Sequence, residues 1–574
     1  MFLTDAKLKT IPSKYLPEGF DISSWDEVKG YLEALCAEDI STPRALEALI
    51  EKYSDLLKAM NDELSWRYIH MTLAADDESK ADAYNDYFAN TYAPTEAYQF
   101  KIKELYNNSP AHNLLDADKY ALLNQIITND IELFRLENIP LQIQESELAN
   151  KYGSIVSKMS AFFDGEERTP AQLAVYLKDT DRSKREEAWR LRMGLFEAHQ
   201  TELNELYDSL RDVRGKLAAN SGYDNYRDYK HKEMGRFSYT PEDIHRFHDA
   251  VERVVMPFVK ELDDKRKEAL ELPVLRPWDT SVDLDGRKLK PFETTDEFIS
   301  KSLIVLNKVN PDYAIQLEMM KNTNLLDLEN RKGKAPGGYN TGLNNLASSF
   351  IFMNHVKQHN DVITLLHESG HAMHSAATGH IKIAQYLETP SEVAELASMT
   401  MELLTMDYWG EYYSSAEDLK KAKRDQLQGT LSFLPWCMIV DAFQQWVYLN
   451  PKHTTEERFA AYLGLHKRFA GNVDWSDLEH LRKLGWMMQL HIFEVPFYYI
   501  EYGMAQLGAL SIYMNYRKDK AKALKQYQAF LDLGYSKPVR EIYQTAGIEF
   551  DFSEARIREL VEFVKSELAE IEKI

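Results

Sequence analysis

Residues 186–220 read EEAWRLRMGLFEAHQTELNELYDSLRDVRGKLAAN, and they decide the fold class. Apolar residues recur at three- and four-residue spacing with charged residues between, the period of a helix with one buried face. Residues 80–106 (KADAYNDYFANTYAPTEAYQFKIKELY) are written the same way, as is most of the chain. Strand-like alternation is scarce, and neither a fixed-period repeat nor a low-complexity tract occurs. The fold is expected to be mainly α.

Composition sets the outer limits. The 574 residues correspond to about four domain-equivalents at ~150 residues each, and 44% hydrophobic content allows a large core, which excludes disorder. A net charge of −23 without a long Lys/Arg block speaks against nucleic acid as a partner, since phosphate binding depends on clustered basic side chains. Two cysteines, Cys36 and Cys437, cannot build a disulfide framework or a four-thiolate zinc site, and a cytoplasmic location is expected. The opening MFLTDAKLKTIPSKYLPEGF has lysines but no apolar run of export-signal length. The longest apolar stretch of the motif-bearing half, Phe433 to Val440, is eight residues and contains Pro435, so no membrane partner is expected.

Two interruptions break the helical writing. Leu272 to Phe292 (LPVLRPWDTSVDLDGRKLKPF) carries three prolines and an Asp285-Gly286 turn signal, and reads as a loop or short hairpin. Gly333 to Asn354 (GKAPGGYNTGLNNLASSFIFMN) reads as a glycine-rich loop leading into a strand at Ser348–Phe352. No phosphate-loop ending follows it, so nucleotide binding has no support.

The chemistry lies at 360–378, NDVITLLHESGHAMHSAAT, where Asn360 or Asp361 is the expected N-cap of a helix. His367 and His371, four residues apart, stack one turn above each other on one face, as one metal ion requires. Glu368 sits about 100° round the helix from His367, where a base for metal-activated water should stand. Chance alone gives about 0.04 His-Glu-x-x-His motifs in a chain of this composition. Gly370 would cost a helix about 1 kcal/mol against Ala, and makes sense if another element packs close there.

Catalytic zinc commonly takes three protein ligands, so one more is needed. His374 is expected to be capped or buried, and His380 to lie in the loop after the helix. The next helix starts at TPSEVAELASMTMELL, with Thr389 as expected N-cap, Pro390 first in the helix, and Glu392 completing a capping box. Glu395, one turn further in and flanked by apolar residues, is the better third ligand, because a buried carboxylate needs a partner. Glu402, two turns on, is either an inward supporting group or solvated. Further along, His491, Tyr498, Tyr499 and Tyr502 supply neutral hydrogen-bond donors suited to a developing oxyanion.

With these residues in view, the chain resembles the M3 peptidases, the thimet-type oligopeptidases, and within them the oligoendopeptidase F branch. LLHESGHAMHS (365–375) is similar to the family's zinc helix, and PSEVAELASM (390–399) to its third-ligand helix. HIFEVPFYYIEY (491–502) is similar to its substrate-tyrosine segment, GGYNTGL (337–343) to its substrate loop, and LRPWD (275–279) to a further signature. The similarity runs from about residue 200 onward, behind a less diagnostic helical region. Residue by residue it implies one zinc ion on His367, His371 and Glu395, and catalysis by Glu368. Substrate or oxyanion contacts fall to His491, Tyr498 and Tyr502, and further substrate contacts to Gly337, Gly338, Tyr339 and Tyr499. Phe493 to Pro496 occupy the stretch where thimet oligopeptidase and neurolysin carry a glycine-rich His-x-x-Gly-Gly-Tyr pattern, which leaves the register among the three tyrosines open. The resemblance also implies a two-lobed helical zinc peptidase with a deep substrate channel and a small β element near the active site. Residues 1–200 would form channel wall and 201–574 the catalytic region.

The expected function is a zinc-dependent metalloendopeptidase, a gluzincin, cutting internal bonds of short unfolded peptides by a metal-activated water with Glu368 as general base. The rivals are a zinc carboxypeptidase or dipeptidase, for which no group dedicated to a substrate terminus can be identified, and a non-catalytic helical peptide-binding scaffold. A structural zinc site in such a scaffold would call for four ligands with cysteine among them, and neither cysteine is near the motif.

Overall fold

The computed structural model describes residues 13–282, 284, 286–335 and 337–574. The first twelve residues of the opening segment, and Asp285 of the expected Asp285-Gly286 turn, lie outside the described residues. The elements used below are, in chain order, α1 (Pro43–Leu73), β1 (Ala161–Phe163), β2 (Glu166–Arg168), α2 (Gln200–Asn220), α3 (Pro241–Ala269), β3 (Leu326–Glu329), β4 (Tyr339–Leu343), β5 (Ser348–His355), α4 (His359–Ala377), α5 (Ser391–Thr405), α6 (Leu434–Leu449), α7 (Leu490–Glu494), α8 (Tyr499–Lys518) and α9 (Lys520–Leu531). The fold is mainly α, as the periodicity of 186–220 requires: that stretch forms α2 and the end of the preceding helix, Arg182–Ala198. Among the described residues no helix is long and apolar enough to cross a membrane.

The chain divides into two compact units, each assembled from three segments. The first comprises residues 1–132, 289–419 and 508–550; the second comprises 133–288, 420–507 and 551–574. Residue 200, the boundary expected from the sequence, lies inside the second unit at the start of α2.

In the first unit, α1 begins conventionally, with Thr42 accepting from the Ala45 N–H and Pro43 in the first turn. It buries Leu46, Leu49, Ile50, Tyr53, Leu56, Leu57 and Met60, the three- and four-residue stripe of a core-facing helix. The region read as a loop entering one strand is a three-stranded sheet in the order β3-β5-β4. The central strand β5 runs parallel to β3 and antiparallel to β4, with Tyr339 opposite Phe352 and Leu343 opposite Ser348. Its near-continuous burial suits a middle strand. The turn from β4 to β5 holds Ala347 at a left-handed φ of 43°, and the Asp62 carboxylate of α1 ties it down by accepting from the Asn344 and Asn345 N–H groups.

Behind the sheet, α4 packs on α5, a helix buried on every side from Glu395 to Thr405. The contact is set by Gly370: a Cβ there would stand 2.5 Å from Ser398 Cα and 2.8 Å from the Ala397 carbonyl. Ala397 cannot retreat, because its carbonyl accepts from the Tyr527 hydroxyl of α9 at 2.7 Å. The expectation of a close neighbour at Gly370 is thereby met. Gly370→Ala should destabilise the protein by about 1–3 kcal/mol, since overpacking against backbone outweighs the ~1 kcal/mol of helix propensity gained. A melting temperature at or above that of the parent protein would show that the helices part freely.

In the second unit, α3 opens with a Thr240/Asp243 capping box. Pro435 does not interrupt the apolar 433–440 stretch; it sits in the first turn of α6, where its missing N–H has no helical partner to lose. Among the described residues of 272–288, regular structure is limited to an isolated bridge from Leu275 to Val473 and a short turn at Pro277–Asp279. There the fully buried Asp279 accepts from both Arg182 and Arg185, so the LRPWD stretch serves as an ionic node of this unit. β1 and β2 form a separate antiparallel hairpin.

Candidate active site

Two sequence expectations about helix starts need correction. α4 begins at His359 with Gln358 as N-cap, and Asp361 works from inside the first turn, its Oδ2 accepting from the Gln358 N–H at 2.7 Å. Neither Asn360 nor Asp361 is the cap. α5 begins at Ser391 with Pro390 as N-cap and no side-chain cap bond, so the Thr389/Glu392 box does not form. A proline N-cap leaves Glu392 one position too early to reach back.

The body of α4 matches its spacing. His367 and His371 meet edge to face, their ring planes at 81° and their centroids 5.0 Å apart. Glu395, from the helix that Gly370 admits so closely, brings Oε2 to 3.2 Å from His367 Nε2 and 3.7 Å from His371 Nε2. One ligand atom from each of the three residues lies within 4.8 Å of the others. Donors bound at about 2.0–2.1 Å to one tetrahedral ion stand about 3.3 Å apart, so the spacing suits zinc.

The hydrogen bonding supplies an independent test of fit. Glu402, also on α5, sets Oε1 2.7 Å from His367 Nδ1 and accepts that proton, which leaves the Nε2 lone pair facing Glu395. His371 Nε2 and Glu395 Oε2 point into the same space. Three electron-pair donors facing one another are stable only around a shared positive charge. The electrostatics agree. Burial works against a charge on His367, but its bonds to Glu395 and Glu402 outweigh this and hold its pKa well above the ordinary imidazole value, so that without a cation a proton on Nε2 supplies the positive charge the three groups share. Burial pulls His371 down to about 4, leaving it neutral with a lone pair to give. Burial would raise Glu395, yet His367 and His371 bring it down to about 2, so it is ionised.

Glu368 is buried on the same helix and outside the triad. Burial, reinforced by Glu395 and Glu402 and opposed by His367, raises its pKa to about 7. A divalent cation among its neighbours would pull that value down and ionise it. Asn340 of β4 was not singled out from sequence; its Nδ2 donates to the Glu368 carbonyl at 3.1 Å and to Ser349 Oγ at 2.8 Å, tying the edge strand to the HExxH turn. A side-chain bond between residues 28 apart leaves no local pattern to find. His374 is buried against Phe530 and His380 is exposed; neither joins the triad.

The glycine-rich stretch is also in the first unit. Gly337 has φ +96°, a conformation that side chains avoid, and a Cβ on Gly338 would stand 3.3 Å from the Phe352 carbonyl. Tyr339 stacks on Phe352 at 4.8 Å, and its hydroxyl hydrogen-bonds Thr72 of α1 at 2.6 Å.

His491, Tyr498, Tyr499 and Tyr502 form a second cluster, within the second unit. The His491 ring lies 4.9 Å from Tyr499 and 6.0 Å from Tyr502, and Tyr498 lies 5.2 Å from Tyr502. His491 is on α7, and the tyrosines lie just before and within the first turn of α8. Between the helices, Phe497 has a left-handed φ of 66°. Its N–H donates to Gln444 Oε1 at 2.9 Å, and its carbonyl accepts from the buried Arg236, itself paired with the buried Glu501. Arg214, fully buried, donates to the Phe493 carbonyl at 2.6 Å. Two arginines thus hold both ends of the α7–α8 connection. The glycine-free stretch 493–496 is thus bracketed by buried arginines.

The sequence pattern of peptidase family M3 matches residues 175–562. An oligoendopeptidase F homolog of Borreliella burgdorferi is 26% identical over 56% of this chain, and the aligned part spans about half (54%) of that relative's length. An oligoendopeptidase F homolog of Lactococcus lactis is 21% identical, with 91% of this chain and 89% of that protein aligned. A solved structure of PZ peptidase A with an inhibitor superposes with a TM-score of 0.89 at 25% identity, covering 96% of this chain and 98% of that one.

Proposed function

The chain belongs to peptidase family M3, in its oligoendopeptidase F branch, and from that premise we propose that it is a zinc-dependent endopeptidase cutting internal bonds of short, unfolded peptides. The observation that carries the reading is the convergence of His367 Nε2, His371 Nε2 and Glu395 Oε2 beside the buried Glu368. His367, His371 and Glu395 would hold one zinc ion. When bound, that ion supplies Lewis-acid polarisation of the scissile carbonyl and a lower pKa for water.

The chain's own residues do the rest. Glu368 takes a proton from the attacking water and returns it to the amine nitrogen as the C–N bond breaks. Glu402 keeps His367 in its ligating tautomer. His491, Tyr498 and Tyr502 are assigned the hydrogen bonds to the carbonyl oxygen as charge builds there, and Tyr499 a substrate contact. Such donors cost nothing to reorganise when they are held in advance. β4 is an edge strand, and substrate backbone adding along it beside Gly337, Gly338 and Tyr339 would be gripped through main-chain bonds, favouring length over sequence.

The test is hydrolysis of a mixed peptide library read by mass spectrometry, before and after chelation. Cuts at internal bonds, abolished by chelation and restored by zinc, are expected. Cuts confined to one terminus would favour a carboxypeptidase or dipeptidase, and undiminished cutting after complete demetallation would end the metallopeptidase reading.

A further inference from the structure

We propose that Trp436 and Gln489 are positioning residues that fix the tautomer of His491, holding its ring as an Nε2–H hydrogen-bond donor. The inference deepens the proposed function and rests on the assignment of His491 to the substrate carbonyl.

The argument is one of donors and acceptors. An indole nitrogen can only donate. Trp436 Nε1, in the first turn of α6, lies 2.9 Å from Gln489 Oε1, so the atom facing the indole must be the amide oxygen. The opposite end of the same amide, the NH₂ group, is then the atom 2.6 Å from His491 Nδ1. An NH₂ group donates and does not accept, so Nδ1 must present its lone pair. An imidazole with a bare Nδ1 carries its hydrogen on Nε2. Flipping the amide would set NH₂ against the indole N–H, two donors face to face, so the orientation follows from the tryptophan and needs no convention. The Tyr499 phenol also interacts with the Trp436 side chain.

The outcome matters because the two neutral tautomers are opposites toward substrate. With Nε2–H the ring donates to an oxygen gaining negative charge; with Nδ1–H it would offer a lone pair and repel it. Gln489 precedes α7 by one residue, its own N–H held by the Trp486 carbonyl at 3.2 Å, so the amide sits on anchored backbone.

The test uses the full-length protein with ¹⁵N-labelled histidine. Two-bond ¹H–¹⁵N correlations report which ring nitrogen is protonated, and His491→Asn identifies the signal. The parent protein should show a bare Nδ1 and a protonated Nε2. In Gln489→Glu the carboxylate can only accept, so the neutral ring should carry its hydrogen on Nδ1 and leave Nε2 bare, while kcat falls roughly 10²-fold with KM within about twofold. Trp436→Phe should leave the amide free to turn and give a mixture of tautomers. A proton on Nδ1 in the parent protein, or a bare Nδ1 persisting in Gln489→Glu, would overturn the proposal, and the first of these needs no variant to fold. A hydrogen moved from Nε2 to Nδ1 with kcat unchanged would uphold the relay and instead overturn the assignment of His491 to the reacting carbonyl.

Discussion

Glu368→Gln should retain the metal and the fold while losing about 10²–10⁴ in kcat. The substitution preserves shape and removes only the ability to take and return a proton. The triad of ligand atoms does not include Glu368, so metal content by elemental analysis should equal that of the parent protein. Peptide affinity, measured by competition or calorimetry, should be close to unchanged, because the loss is confined to the transition state. Turnover within a few-fold of the parent would assign the base to another group.

The second large effect is expected at Glu395. Its Oε2 is the atom common to both imidazole contacts, and Ser398 Oγ, at 3.1 Å, helps hold it. Glu395→Ala removes the only negatively charged member of the triad and leaves two neutral donors. Loss of a residue that merely supports a ligand typically costs 10–100-fold in metal affinity. Removing the ligand itself should exceed that range, seen as substoichiometric zinc after dialysis and a parallel fall in activity. Full occupancy in this variant would hand the role to Glu392 or another carboxylate.

Much of this site was legible because its geometry is local. His367, Glu368 and His371 are fixed relative to one another by helical pitch alone. Glu395 stands out as an acid among Ala394, Leu396 and Ala397, in a helix interior where no cap can use it. The cap positions were misjudged because the residues present, Gln358 and Pro390, are not usual N-caps. β3 and β4 escaped notice because they are short and carry charge or glycine, whereas β5 shows the apolar run of a central strand. The links from Asn340 to Glu368 and from Trp436 through Gln489 to His491 join residues far apart in the chain, and no periodicity records them.

The interleaving of the two units bears on how the protein is made. The first unit needs residues 1–132, 289–419 and 508–550, so its opening helices leave the ribosome 375 residues before its closing segment begins, roughly 20–75 s at ordinary translation speeds. During that interval the nascent chain exposes apolar helix faces whose partners have not been synthesised. Chaperone demand during translation, and poor recovery of fragments cut at the ends of these segments, are the expected consequences of building each unit from three separate lengths of chain.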